Sequence, residues 1–261
     1  MVHFLLIFIG IIAGIVTGIT GASSVMVVVP LLSILLNFSI HQAIGTSLVV
    51  DIVAPLFISH TYFKKGHIKI KESIPVLLGT VLMAPIGSYF SDMVPERGLG
   101  SSFGGFMIVL AVIIFRTGAK QKLDHKKGSK LPSSLNHPYT KTLLCFLLAG
   151  VSGFMTGFMG AGGGTNLLLI LILFCGFSLH NALGTSILMM AMTASAGVAG
   201  HLYYGNVNFH DGLLVAIIAT ISGTISAKKM SNLDEKMLSF VMGGIYTVLG
   251  TMMVLLNMFY N

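Results

Sequence analysis

Charge is what this chain lacks. Of its 261 residues, 15 are Lys or Arg and 8 are Asp or Glu, against 54% apolar side chains and a mean hydropathy of +0.92. A water-soluble domain carries about one charged residue in four, so that class is excluded and a bilayer is the expected solvent. No basic segment precedes the apolar run that begins at Phe4, which argues against a cleaved secretory signal. The two cysteines, Cys145 and Cys175, both lie in apolar runs, where thiols behave as small hydrophobes. Also missing are a Gly-Lys-Ser/Thr phosphate loop, a Gly-x-Ser-x-Gly nucleophile elbow, a His-Glu-x-x-His metal site and paired intramembrane carboxylates. The chain is therefore not read as an enzyme, and neither a cofactor nor a metal is expected.

The charges that are present bunch at 64–72, 92–97, 116–141 and 228–236, with Asp211 at the mouth of one apolar run and Asp51 alone inside another. A helix needs about 20 apolar residues to cross the hydrocarbon, so the intervening runs suffice for about eight to ten membrane segments. The formal charge of +7 does not mark a nucleic-acid binder, because seven Lys/Arg and one Asp in 116–141 supply most of it. Clustered basic residues beside membrane helices mark the cytoplasmic face.

An internal repeat organises the chain. Gly14, Thr17, Gly18, Gly21 and Ala22 recur as Gly153, Thr156, Gly157, Gly160 and Ala161, an offset of 139 residues (153 − 14). Without a gap, the same offset pairs Phe38, Ser39 and His41 with Phe177, Ser178 and His180. It also pairs Gly45-Thr46-Ser47 with Gly184-Thr185-Ser186, and Glu96-Arg97 with Glu235-Lys236. The expected organisation is a first transmembrane repeat over 1–116, a basic cytoplasmic linker over 117–141 and a second repeat over 142–261.

Each repeat opens with a long apolar stretch broken by a glycine-rich tip, followed by three further spans. The fold expected is all-α and polytopic, each repeat having a broken or re-entrant helical hairpin and then three transmembrane helices. The four Lys of 64–72 and the basic linker lie two spans apart and so share a side. In the second half, 203–210 carries no Lys or Arg whereas 228–236 carries three. The second repeat is therefore expected upside down relative to the first, the inverted architecture of secondary transporters with a site near the midplane. Gly10, Gly14 and Gly18, spaced by four, are expected to allow close helix packing.

The second break reads Gly160-Ala161-Gly162-Gly163-Gly164-Thr165-Asn166, and the first Gly21-Ala22-Ser23-Ser24. Irregular backbone at membrane depth survives only where protein or a water-filled cavity satisfies it. The helix starting after such a tip offers free N–H groups and a positive dipole end to an anion. With no Lys or Arg inside any apolar run, a buried anion would be held by amides and hydroxyls, weakly enough for release. Thr46, Ser47, Thr185 and Ser186 start the helices after the hairpins, and their hydroxyls are candidates for the same cavity. His41 and His180 read as capping or interfacial groups. Asp51, an intramembrane carboxylate whose repeat partner is Met190, is the candidate for proton coupling.

With Gly14-x-x-x-Gly18-x-x-Gly21, Gly157-x-x-Gly160-Ala161-Gly162-Gly163-Gly164 and the elements His41 to Ser47 and His180 to Ser186, the chain resembles the TauE/SafE family. These are the sulfite exporters, also called the toluene-sulfonate uptake permeases. The resemblance covers nearly the whole sequence and implies plasma-membrane movement of small sulfur-containing or organic anions, such as sulfite or sulfonates, without ATP. Ser23 and Ser24 stand where that family often has further glycines, which implies a different first site. The partners expected are the anion and the lipid bilayer, with a homodimer permitted by the small-residue stripes and no nucleic acid. The rival class is a passive anion channel, which electrically resolved single openings would reveal.

Overall fold

The computed structural model describes residues 2–20, 23–120, 138–161, 163–229 and 235–259. Ten helices and no strand are found among the described residues. The first half holds α1 (Val2–Thr20), α2 (Val25–Leu36), α3 (Ile40–Lys64), α4 (Ile70–Met93) and α5 (Glu96–Lys120). The second holds α6 (Pro138–Met159), α7 (Gly164–Leu173), α8 (Leu179–Tyr203), α9 (Phe209–Lys229) and α10 (Glu235–Phe259). The starts of α7, α8, α9 and α10 lie one repeat offset after those of α2, α3, α4 and α5, so the sequence repeat is a structural one. Residues 121–137, the middle of the expected linker, lie outside the described residues.

Six helices, α3, α4, α5, α6, α8 and α9, carry at least 18 residues apolar enough to cross a membrane. The chain is a multi-pass membrane protein. α2 and α7, with 12 and 10 residues, rise only about 18 and 15 Å and cannot span alone. Both long apolar stretches are thus broken where the sequence reading placed the tips. α6 ends at Gly160, whose φ of +72° lies in the left-handed region that glycine enters without a Cβ penalty. α3 begins where the Ser39 hydroxyl accepts the Gln42 N–H at 3.2 Å, an ordinary N-cap.

The halves interlock rather than stand side by side. α1 packs along α9 of the other half, and α6 along α4. In a bilayer, lipid tails are as apolar as leucine, so helices pair where small residues let backbones approach. Gly10, Gly14 and Gly18 meet α9: a Cβ on Gly14 would strike the Ala219 carbonyl, and one on Gly18 the Gly223 carbonyl. Gly79 and Gly87 meet α6 at Phe146 and Phe154 in the same way.

α3 and α8, the two most buried spans, cross at the centre, and α5 pairs with α10. Both pairs run antiparallel. Gly45 of α3 faces His201 near the end of α8, and Gly184 at the start of α8 faces Tyr62 near the end of α3. Likewise Gly104 faces Val254, and Gly243 faces Phe115. Helices equivalent by sequence therefore point in opposite directions across the centre of the bundle.

Candidate functional site

The first break is closed by the chain's own carboxylate. α2 covers 12 residues from Val25 to Leu36, and α3 covers 12 from Ile40 to Asp51, so an antiparallel climb of equal rise returns Asp51 to the tip. There Asp51, 1% exposed, accepts three bonds. The Ser24 N–H and hydroxyl donate to Oδ1 at 2.9 and 2.5 Å, and the Ser23 hydroxyl donates to Oδ2 at 2.5 Å. The Val25 N–H donates in turn to the Ser23 Oγ at 3.3 Å. A negative group thus sits on the positive end of α2, the favourable sign for a helix N-terminus. Tyr246 of α10, 3% exposed, shares an apolar cluster with Val25 and Val50 beside the carboxylate's own turn of α3.

At the second break the same positions carry different chemistry. Ser24 is replaced by Gly163, which begins α7 without a side-chain cap, and Asp51 by Met190. A Cβ on Gly163 would come within 2.7 Å of the Met190 Cγ, so glycine and methionine fill the space that serine and aspartate fill in the first half. Gly163 and Gly164 are buried, but Thr165 is exposed and Asn166 half-exposed. Their first-half equivalents, Met26 and Val27, are buried at 3% and 0%. α10 packs on α2, while among the described residues α5 makes no comparable contact with α7. The start of α7 is open on one side; that of α2 is sealed.

The two tips meet. The Ser23 Oγ lies 3.4 Å from the Gly160 carbonyl oxygen, and Val25 packs on the Gly160 α-carbon. Met159 and Ala161 share one apolar cluster with Val25, Val50 and Tyr246. One turn before the break, the Gly157 carbonyl accepts the Nε2 proton of His201 at 2.8 Å.

Thr46, Ser47, Thr185 and Ser186 stand apart from the tips. The Thr46 Oγ1 accepts the Asn208 N–H and the Thr185 Oγ1 the Lys69 N–H, each at 3.0 Å. Each therefore clamps a connection of the opposite repeat. The Ser47 and Ser186 hydroxyls bond the carbonyls of Ile44 and Leu183, three residues back in their own helices. His41 Nε2 lies 3.0 Å from the Ser91 carbonyl oxygen, and His180 stacks near His67. Gly21, Ala22 and Gly162 lie outside the described residues.

Tyr246 and His201 escaped the sequence reading. Their repeat partners are the buried Met107 and the half-buried Tyr62, so at both positions the two halves carry different side-chain chemistry. Comparing the halves for mismatches, rather than for matches, would have found both. Asp51 was found as the carboxylate standing alone inside an apolar run.

Comparison with known proteins identifies the family. The family described as "Sulfite exporter TauE/SafE" matches residues 6–253. The chain belongs to the TauE/SafE family. It is 25% identical to "Probable membrane transporter protein YunE" of Bacillus subtilis, over 97% of this chain and 98% of that protein. With "Probable membrane transporter protein YdhB" of the same organism it shares 26% identity, over 89% and 91% of the two chains. With "Probable membrane transporter protein MJ0441" of Methanocaldococcus jannaschii it shares 25%, over 96% and 95%. No solved structure matches the chain. A TauE/SafE member built as two interlocked halves is a membrane transporter, and the helix breaks are one of several places where its halves touch through polar groups.

Proposed function

We propose that this chain is a secondary transporter of small anions of the sulfite and sulfonate kind, acting in the plasma membrane with the Lys-rich loop ends in the cytoplasm. In this reading 1–116 and 142–261 are inverted repeats, and 117–141 is a cytoplasmic linker. The observation that carries it is the inequality of the two helix starts: α2 already holds a carboxylate, whereas α7 presents its N-terminus without one. The substrate anion binds at the second tip, at Gly162, Gly163, Gly164, Thr165 and Asn166, a reading supported by the exposed Thr165 and half-exposed Asn166 at the start of α7.

Alternating access follows from the repeat. In the structure α10 packs on α2, and among the described residues α5 makes no comparable contact with α7. The opposite state exchanges these contacts, with α5 on α7 and α10 withdrawn from α2. Interlocked halves of equal construction make two such states close in energy, as a carrier requires.

Asp51 couples a proton to this exchange through Ser23. As a carboxylate it accepts the Ser23 hydroxyl. Once protonated, it donates to the Ser23 Oγ, and the Ser23 hydrogen turns to the Gly160 carbonyl 3.4 Å away. One hydroxyl rotation thus moves a hydrogen bond from within the first tip to between the tips.

Proteoliposomes loaded with a pH-sensitive dye and given sulfite or benzenesulfonate outside should show saturable anion entry accompanied by proton movement. Silence toward every small oxyanion and sulfonate tried would overturn the assignment. Single-channel currents would move it to a pore.

A further inference from the structure

Arg97 breaks the charge pattern of the chain. The other 14 Lys and Arg residues fall in 64–72, 116–141 and 228–236, and those among the described residues lie at one end of the bundle. Arg97 begins α5 at the opposite end, with Asp92, Glu96 and Asp211. A cation retained against the charge bias of membrane loops needs a local reason, and a cavity supplies one. A recess of about 760 Å³ opens between the end of α2, the start of α5 and the end of α10, with Arg97 on its wall.

The chemistry of the recess is two-sided. Ile34, Phe38 and Met253 give it an apolar wall. Its polar side holds Arg97, Asn37 and Ser33, whose Oγ is buried without a hydrogen-bond partner. Asn37 ends α2 in the left-handed region, φ 53°, its backbone N–H bonding the Leu32 carbonyl, and its side-chain amide faces no hydrogen-bond partner among the described residues. Glu96 also lines the recess, but its Oε1 accepts the Ile40 N–H at 2.8 Å and so serves the N-terminus of α3. Arg97 has no acidic partner among the described residues. An exposed guanidinium free to form a two-pronged bond, next to amide and hydroxyl groups and above an apolar floor, suits one ligand class.

We propose that this recess is a mouth site for an amphiphilic anion, a sulfonate, carboxylate or phosphate carried on an apolar body. The anionic oxygens bind Arg97 and Asn37, and the body lies on Phe38, Ile34 and Met253. A soluble organic anion and an anionic lipid headgroup share this chemistry. The site is separate from the helix breaks and does not depend on where the transported anion binds.

The test uses the full chain in phosphatidylcholine nanodiscs, titrated calorimetrically with benzenesulfonate. Saturable binding is expected that Arg97→Gln weakens at least tenfold, Arg97→Lys weakens less, and Phe38→Ala weakens for benzenesulfonate more than for methanesulfonate. Repeating the titration in phosphatidylglycerol nanodiscs separates the sources. A fall in affinity there identifies the lipid headgroup as the competing occupant, and equal affinity identifies a soluble anion; either supports the site. Affinity unchanged by both Arg97→Gln and Phe38→Ala, or no saturable binding in phosphatidylcholine, overturns it. Flux measured on the same proteins reads transport separately, so the mouth site can fail while the carrier assignment stands.

Discussion

The first and second helix breaks descend from one repeated element yet solve the same problem in opposite ways. Both leave the N-terminus of a short helix inside a long apolar stretch, with amides that hydrocarbon cannot satisfy. In the first half, Ser23, Ser24 and Asp51 fill the position with an internal anion. In the second, Gly163 and Met190 leave it without one, and Thr165 is exposed beside it. The difference is one of chemistry: the first helix start holds a carboxylate from its own chain, and the second is built of glycine. Symmetry supplies the frame, and its violation assigns the roles.

The sharpest way to break this comparison is Asp51→Leu. It removes the acceptor from three buried donors, at about 1–3 kcal/mol for each one left unsatisfied. A fall in apparent Tm of roughly 10 °C in detergent is expected, against little change for Met190→Leu. Converting the first tip to the second, Ser23→Gly, Ser24→Gly and Asp51→Met together, should recover much of that loss, because the groups act as a unit. Additive losses would show that the two sets are not alternatives.

A smaller effect on stability and a larger one on coupling are expected from Asp51→Asn. The amide keeps the shape and accepts through its oxygen but cannot exchange a proton. Anion flux should persist while its dependence on pH disappears. Flux that kept its pH dependence would remove Asp51 from the coupling.

The mildest variant is Thr165→Val, which keeps the helix start and deletes one exposed hydroxyl. A rise in KM of a few-fold, about 1 kcal/mol of binding, is expected with little change in maximal rate. An unchanged KM would leave the second tip to its backbone amides alone.

Much of the scaffold was legible because it is written locally. Apolar length marks a span, and glycine marks where a helix stops. A 139-residue recurrence makes every reading in one half a prediction for the other. The glycine stripe on α1 was correctly taken for close approach, but which helix it approaches was not written in it. Several helices carry such stripes, and they are interchangeable on paper. The Thr46 and Thr185 hydroxyls show the same limit. Their sequence context announces a polar group in a membrane helix, whereas their partners, the Asn208 and Lys69 amides, lie in the other repeat.

By itself, then, the sequence determined the solvent, the duplicated plan, the positions of the two breaks and the end of the bundle on which the basic loops gather, since each follows from composition and short-range geometry. The tertiary structure alone decided that α1 docks on α9, that α10 seals one tip while the other stays open, and that Asp51 lands on α2. Those outcomes depend on how far each arm of a hairpin rises and on which small-residue surfaces can reach contact. Both are settled only when the helices are assembled.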